Sequence, residues 1–319
     1  KITSITILQD AKCKYDQEPF KSYATDLPNV RVVNADLTSE TMTAADVQNL
    51  LGQQSFPYVW DNASKGPVGA GKAIADCARA WNTQLFVYVS SAGMYKPTGV
   101  FPMPETTPVK DSAGQFLYEN YCVSLGLPLV SFRPQYIYGD KSNKHDYIDW
   151  YFDRLVKQLP LPIPGDGTQK VSLTNSEDVA SLLAAPLNNE PAAIQQRFFN
   201  CGTDQLFSYD EVALMCAEAA FINPIYAKIE HYDGDALGKA KFPFRLTDFY
   251  VAPDTAKYTL GWPGAKHNLK EDLKSYYQNF LARGGSSRKV ALEADREIVA
   301  QTKGPQEAAN VYDKYLVEA

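Results

Sequence analysis

Three groups of basic residues along the chain could bind phosphate. They are Lys141, Lys144 and His145; Lys239, Lys241 and Arg245; and Arg283, Arg288 and Lys289. Clustered cations release counterions when they neutralise a nucleic-acid backbone, and this release supplies much of the binding free energy. We take the first two groups, six residues in all, as the candidate nucleic-acid-binding residues.

Aromatic residues are interleaved with the same two groups. They are Tyr147, Trp150 and Tyr151 in the first segment, and Phe242, Phe244, Phe249 and Tyr250 in the second. Exposed rings can stack unpaired bases. The alternative is that the rings belong to the core and the lysines form a solvated rim. Both interpretations remain open from the sequence.

Carboxylates suggest a second kind of chemistry. Asp146, Asp149 and Asp153 recur at helical spacing and could share one helix face. Converging carboxylates hold hard cations that assist phosphodiester hydrolysis. A solvated acidic helix face is the commoner explanation, so no catalytic residue is assigned.

Neither the histidines nor the cysteines have the spacing of a metal site. The histidines are His145, His231 and His267, and the cysteines are Cys13, Cys77, Cys122, Cys201 and Cys216. No Cys-x-x-Cys pair occurs, and an odd, irregular set is a poor disulfide framework. We therefore predict no metal ligands, and buried free thiols in a reducing compartment.

The elements that must position these residues follow a β-α-β rhythm. Apolar, β-branched runs predict strands at 2–8, 30–37, 57–64, 85–91 and 127–134, with helices at 44–51, 69–81 and 113–124. This alternation predicts a doubly wound parallel sheet with ligands at the carboxyl ends of its strands. Further helices are predicted at 146–159, 176–187, 208–220 and 270–281.

Composition limits the classes of function. The chain has 319 residues, with 31 Lys and Arg against 37 Asp and Glu, which gives a net charge of −6. This balance excludes a surface coated with phosphate-binding charge, although a local basic cleft is compatible with it. Hydrophobic residues make up 45%, so a packed core is expected. No run is long and apolar enough to predict a membrane span.

Four motifs occur in an informative order. SSAGMY (90–95) follows one predicted strand, FRPQYIYG (132–139) follows the next, PGDGTQ (164–169) precedes NSEDVA (175–180), and Asp254-Thr-Ala-Lys257 leads to LGW (260–262). The set resembles the extended short-chain dehydrogenase/reductase family, which is NAD-dependent epimerase/dehydratase-like. The resemblance implies a Rossmann-like domain over 1–140 and a smaller discontinuous lobe over 141–285, parts of which return to the sheet. Residues 286–319 would form a charged tail.

The chain departs from that family at its two chemical motifs. No Gly-x-Gly-x-x-Gly follows the first strand, so we expect the first strand and glycine loop of the fold to be missing from the chain as given. None of the 20 tyrosines has Lys four residues later; Asp111 and Gln115 stand where the Tyr and Lys belong. The resemblance leaves a vestigial cofactor site of Asp36, Asn62, Ser90, Ser91 and Tyr95.

A narrower resemblance covers most of the chain, from about residue 3 to 281. YIDWYFDR (147–154), FFNCGTDQLFSYDEVALMCAEAA (198–220) and KAKFPFRLTDFY (239–250) are similar to the chloroplast stem-loop-binding proteins, which also lack Tyr-x-x-x-Lys. The resemblance implies an RNA-binding protein of the chloroplast stroma, built on a catalytically disabled reductase fold. The family's precursors carry a transit peptide, which fits a chain that starts at Lys1.

The same resemblance implies partners and cofactors. The partners would be stem-loop or ribosomal RNA, the plastid ribosome or a transcription complex, and an oligomer with itself or a paralogue. Divalent-metal-dependent endoribonuclease activity is ascribed to the group, so Mg²⁺ or residual NAD(P) are the cofactors it allows.

Two other functions remain open from the sequence. One is an atypical NAD(P)-binding reductase or epimerase that uses Tyr95 or Tyr136 as its proton donor. The other is a structural subunit of a plastid assembly, docked through the 286–319 tail.

Overall fold

The computed structural model describes residues 4–12, 20–142 and 144–316. Its contacts divide the chain into two compact units. The first lies within Lys1–Gln135, Val179–Gly202 and Val251–Gly264, and the second within Tyr136–Asp178, Thr203–Tyr250 and Ala265–Ala319.

The helices and strands of the first part of the chain alternate as the sequence predicts. In chain order they are β1 (Ile5–Asp10), α1 (Tyr23–Asp26), β2 (Val30–Ala35), α2 (Ala44–Leu50), β3 (Tyr58–Asp61), α3 (Gly69–Ala80), β4 (Leu85–Val89), α4 (Gly114–Ser124) and β5 (Leu129–Pro134).

The rest of the chain has shorter strands. They and the helices between them are β6 (Ile137–Tyr138), α5 (Asp146–Leu155), β7 (Leu161–Pro164), β8 (Lys170–Val171), β9 (Thr174–Asn175), α6 (Ser176–Ala184), α7 (Glu190–Gln196), β10 (Phe198–Cys201), β11 (Phe207–Ser208), α8 (Tyr209–Ala219), β12 (Ile229–Tyr232), α9 (Gly234–Leu237), α10 (Asp254–Leu260), α11 (Leu269–Ala282), α12 (Glu293–Lys303) and α13 (Pro305–Leu316).

The first unit contains the predicted parallel sheet. Its four strands lie in the order β10-β5-β4-β3, and all neighbouring pairs are parallel. β5 is fully buried and β4 nearly so, which explains why β4 is a continuous apolar run rather than an alternating one. The two polar side chains of β5, Ser131 and Arg133, both bind the buried Glu119. β1 and β2 form a separate parallel pair in the same unit. A cavity of about 1060 Å³ is lined by residues of both β1 and β3.

Helices α3 and α4 cover the four-stranded sheet. Phe86 and Tyr88 of β4 pack against Ala75 and Ala78 of α3 and Tyr118 of α4. These side chains are fully buried, so each removes its whole apolar surface from water. The packing fixes the carboxyl ends of the strands, where the candidate cofactor residues lie.

The second unit is built from helices and three two-stranded sheets. β6 pairs with β9 and β7 with β12 in parallel, and β8 pairs antiparallel with β11. α8 begins with a capping box, in which the Ser208 hydroxyl accepts from the Glu211 amide at 3.0 Å.

The charged segment after residue 286 is ordered as two helices over the described residues. Leu292, Val299, Ala308 and Tyr312 of this segment form one apolar cluster with Leu159. Asp295 also binds Arg154 of α5, with Nε–Oδ2 at 2.6 Å and both side chains at most 2% exposed. α12 and α13 are therefore packed as part of the second unit.

Cys77, Cys122, Cys201 and Cys216 are buried and free, as predicted, while Cys13 lies outside the described residues. No helix in the described ranges combines the length and the apolar character that crossing a membrane requires.

Candidate nucleic-acid interface

Asn62, Ser90 and Ser91 lie at the carboxyl ends of β3 and β4, where the parallel fold places ligand-binding residues. Asn62 is exposed. The Ser91 hydroxyl accepts from the Gly93 amide at 3.0 Å. The Ser90 hydroxyl is buried and has no hydrogen-bond partner in the part of the chain described. Of the two hydroxyls, that of Ser91 therefore holds the end of β4 through a hydrogen bond, and that of Ser90 does not.

Tyr95 is enclosed rather than poised to donate a proton. Its ring is fully buried, and its hydroxyl donates to Asn200 Oδ1 at 2.7 Å and accepts from Arg133 Nη1 at 3.3 Å. Burial raises the pKa of Tyr95 to about 12 despite the nearby guanidinium. This geometry counts against Tyr95 as the alternative proton donor of a reductase.

Tyr136 is similarly placed in the second unit. Its hydroxyl accepts from the Arg245 amide at 3.0 Å, and burial raises its pKa. A phenol held this way is a poor acid at neutral pH, so Tyr136 does not replace the missing Tyr-Lys pair either.

The positions that replace the Tyr-Lys pair also lack its geometry. Asp111 precedes α4, so it does not share a helix face with Gln115. Its side chain is 88% exposed and pairs with Lys96 at 3.3 Å. An exposed carboxylate is ionised near neutral pH and has no proton to give.

Asp36 follows β2 and makes only local contacts. Its carboxylate accepts from the Thr38 hydroxyl at 2.6 Å and lies 3.2 Å from Lys12 Nζ. Hydrogen bonds from Thr38, with Lys12, lower the pKa of this half-exposed carboxyl. Nothing in this geometry is specific to an adenine ring.

The glycines that open α3 do not form a dinucleotide cradle. A Cβ on Gly69 would lie 2.2 Å from the Ser39 carbonyl oxygen, and one on Gly71 would lie 2.6 Å from that of Gly66. The space beside both glycines is thus filled by the chain's own backbone. The described residues do not fit a pyrophosphate at this position, and the unpartnered Ser90 hydroxyl alone cannot hold a dinucleotide.

The second unit brings three of the six candidate RNA-binding residues together. Burial, and then the positive charges of Lys144 and Arg245, lower the pKa of Lys239. The Lys239 ammonium donates to the Phe244 carbonyl at 3.2 Å, while the Arg245 guanidinium lies 3.7 Å from the centre of the Phe249 ring. We call Lys144, Lys239 and Arg245 the cationic cluster. Mutual repulsion of this kind favours an anionic ligand, which would relieve it.

The aromatic residues near the cationic cluster are mostly core. Trp150, Tyr151, Phe242, Phe244 and Phe249 are all buried. They pack against one another and against Tyr136 and Tyr209, with ring centroids 4.8–6.2 Å apart. The interpretation that these five rings stack unpaired bases is therefore wrong.

Tyr147 and Tyr250 are the partly exposed rings of the seven. Lys144 Nζ lies 4.9 Å from the centre of the Tyr147 ring, and the ring itself stacks on Phe244. Tyr147 thus offers an aromatic surface directly beside the cationic cluster.

The other candidates do not join the cluster in the same way. Lys141 and Lys241 are exposed on the same two segments. His145 is half-buried, and its ring contacts the Tyr276 hydroxyl at 3.2 Å. Burial, and then the charge of Arg283, lower the pKa of His145, so its ring is neutral at pH 7. His145 is therefore not a phosphate-binding cation at that pH.

The third basic group and two of the aspartates neutralise each other. Arg283 and Arg288 both bind Asp149, and Arg288 also binds Asp153 through Nε at 2.6 Å. Asp149 is 1% exposed. The carboxylates therefore do not converge on a cation, and no group of three potential metal-ligating side chains occurs among the described residues.

These placements could not be read from the sequence. Lys144 is brought to Lys239 and Arg245 by packing between distant segments, which no local spacing encodes. No local spacing links Asp149 and Asp153 to Arg288 either, since these partners lie 139 and 135 residues apart in the chain.

The matches to known proteins agree with the parallel α/β fold described above. Residues 67–202 match the NAD dependent epimerase/dehydratase family. Among solved structures, dTDP-glucose 4,6-dehydratase from Bacillus anthracis with NAD is 14% identical, covers 89% of both chains and has a TM-score of 0.69. UDP-glucuronic acid 4-epimerase from Bacillus cereus with NAD is 14% identical, covers 88% of this chain and 91% of its own, and has a TM-score of 0.67.

A curated relative is more similar in sequence. Chloroplast stem-loop binding protein of 41 kDa b from Arabidopsis thaliana is 31% identical over 225 residues, which is 68% of this chain. The match spans 58% of that protein's length, less than two thirds.

Proposed function

Because the chain carries an NAD dependent epimerase/dehydratase family domain and is similar to a chloroplast stem-loop binding protein, we propose that it binds structured RNA in the plastid. The observation that carries this proposal is the cationic cluster on the second unit. It gathers three positive charges on a chain whose net charge is −6. The exposed carboxylate of Asp146 pairs with one of them, with its Oδ2 atom 3.7 Å from Lys144 Nζ.

The form of the cluster supports contact with the RNA backbone more than with bases. Its groups are two ammonium ions and one guanidinium, which neutralise phosphates, and one partly exposed ring, Tyr147, lies beside them. Binding of this kind is salt-sensitive and modest, since the rest of the acidic surface repels RNA. Association with a plastid ribosome or transcription complex would place basic neighbours around it.

Loss of reductase chemistry fits the same proposal. Tyr95 and Tyr136 are buried, and Asp111 replaces the expected Tyr. The fold would then serve as a scaffold, with the second unit presenting the RNA-binding surface.

A salt-titrated binding assay tests the proposal. Wild-type protein is titrated with a stem-loop RNA by fluorescence anisotropy at several salt concentrations. Lys144→Ala and Lys239→Ala should each reduce the slope of log K against log salt by about 0.7–0.9, the loss of one phosphate contact. Lys96→Ala removes the same charge from an exposed ion pair with Asp111 in the first unit and is the matched control.

Equal affinities and slopes for Lys96→Ala and both cluster variants would show that net charge, and not the cluster, governs binding. Absence of wild-type binding at low salt would overturn the proposal as a whole.

A further inference from the structure

We propose that His267, Asp272 and the first turn of α6 form a pH-sensitive set of hydrogen bonds and ion pairs that stabilises the second unit. We call this set the fastening. The fastening joins the segments at which the chain enters and leaves that unit, and it is independent of RNA binding. It holds when the His267 ring carries a proton and loosens when the ring loses it.

Asp272 is the centre of the contacts. Its Oδ2 atom accepts from the Tyr138 hydroxyl at 2.7 Å and from Asn175 Nδ2 at 2.9 Å, and lies 3.0 Å from His267 Nδ1. One carboxylate thus ties β6, β9 and the segment before α11 to the first turn of α11. All of these residues belong to the second unit.

His267 adds contacts on its other sides. Its Nε2 atom lies 3.3 Å from Glu177 Oε2, and its amide donates to Asp178 Oδ2 at 3.1 Å. Its carbonyl accepts from Gln205 Nε2 at 2.6 Å. The imidazole therefore lies between two carboxylates that belong to different helices, α6 and α11.

The chain passes between the two units at five points, after residues 135, 178, 202, 250 and 264. Tyr138, Asp178, Gln205 and His267 each lie within three residues of a different one of these points. The contacts around His267 and Asp272 therefore join second-unit residues that lie next to four of these five connections.

The protonation state decides how many of the contacts can form. A protonated imidazole donates from both ring nitrogens, so it can bind Asp272 and Glu177 together. A neutral imidazole has one N–H, so one of the two carboxylates then faces a ring lone pair. Such a contact is repulsive, and His267 then no longer joins Glu177 of α6 to Asp272 of α11.

The charged surroundings favour the proton. Asp272 of α11 and Glu177 and Asp178 of α6 face the ring, and Tyr138 of β6 is a donor to Asp272. Lys266 directly precedes His267 in the chain, and its amide also donates to Asp178. Lys270 is bound to Glu218. Burial lowers the pKa of His267, but the carboxylates outweigh it and the pKa is raised overall.

The sign of the effect follows from linkage. Because the folded pKa lies above the unfolded value near 6.5, the stabilisation is complete below about pH 6.5 and is lost as pH rises through the folded pKa. The fastening therefore loosens as pH rises above about 6.5.

Hydrogen exchange between pH 6 and pH 8 tests the proposal. The reporters are the amides of Lys266, His267 and Glu177, which donate to Asp178 and Asn175. After correction for intrinsic rates, their protection factors should fall by up to about tenfold per pH unit, the limit for one proton, between about pH 6.5 and the His267 midpoint of the folded protein, and level off above that midpoint. Amides of β4 and β5 in the first unit should show no such trend.

Three variants locate the effect. His267→Gln should remove the pH dependence of the reporters. His231→Gln is the matched control, because His231 pairs with Asp210 outside this cluster. Glu177→Gln changes a 70% exposed side chain and should fold normally. It should shift both the NMR titration midpoint of His267 and the exchange midpoint to lower pH.

Reporter amides whose protection is independent of pH in the wild type would overturn the proposal. The same slope in wild type and His267→Gln would do so as well. If His267→Gln fails to fold, Glu177→Gln decides the question. An unchanged NMR midpoint of His267 and an unchanged exchange midpoint would then exclude the fastening.

Discussion

The carboxylate of Asp149 accepts a hydrogen bond of 2.8 Å from Nη1 of Arg288, across 139 residues of sequence. Arg283 and the Tyr276 hydroxyl bind the same carboxylate. Arg288 also binds Asp153. Two carboxylates and two guanidinium groups that the sequence offered as metal or phosphate ligands thereby hold α5 against the turn after α11.

We expect Asp149→Asn to destabilise the protein by about 2–3 kcal/mol. The loss is below the about 3–5 kcal/mol for fully buried pairs, because Arg288 is 38% exposed and partly screened by water. Urea unfolding measures it. Asp146→Asn, whose side chain is 75% exposed in the same helix, should change stability by at most about 0.5 kcal/mol. Equal effects of the two variants would contradict a structural role for the pair.

Tyr147 and Phe244 should separate RNA binding from stability. Tyr147→Ala removes a part-exposed ring beside Lys144 and should weaken stem-loop binding by about 1 kcal/mol or more if a base stacks there, with little change in unfolding. Phe244→Ala removes a buried ring and should cost about 3–5 kcal/mol of stability. Tyr147→Phe keeps the ring and is the control. A Tyr147→Ala protein that binds as the wild type does would restrict the interface to phosphate contacts.

Gly69→Ala should destabilise the first unit strongly. Gly69 has a φ of 49°, and its added Cβ would lie 2.2 Å from a backbone oxygen, so strain and clash combine to at least about 2 kcal/mol. Gly99→Ala shares the positive φ, at 71°, but its Cβ meets nothing within 4 Å. It should cost about 1 kcal/mol. The difference in urea midpoint between Gly69→Ala and Gly99→Ala measures the steric effect of the backbone beside Gly69. Equal midpoints for the two variants would argue that the space beside Gly69 is open.

Two of the three histidines, His145 and His267, should titrate in a defined order. Burial and Arg283 lower the pKa of His145, and the carboxylates around His267 raise the pKa of that residue. Imidazole NMR signals, assigned with single His→Gln variants, should therefore place the His145 midpoint below about 6.5 and the His267 midpoint above it. The lowered pKa of His145 gives stability that is present above about pH 6.5 and is lost as pH falls through the folded pKa. A reversed order would invalidate the charge environments described for both rings.

The sequence alone determined the alternation of parallel strands and helices along the chain. A continuous apolar run such as Leu85–Val89 has few other ways to bury both faces, and the Ser208–Glu211 capping box is a local interaction. The missing Tyr-x-x-x-Lys spacing was readable too, because it is a local pattern that does not depend on where the helix lies.

Only the tertiary structure decided which polar residues remain available. Phe244 and Tyr147 have similar ring sizes and both adjoin basic residues, yet one is core and the other part-exposed. Arg288 and Lys239 both read as phosphate ligands, yet Arg288 is bound to Asp149 and Asp153, whereas Lys239 lies among other cations. Burial and charge pairing are set by contacts between segments about 100 residues apart. Local patterns carry hydrophobic periodicity and caps, but they do not carry the identity of distant neighbours.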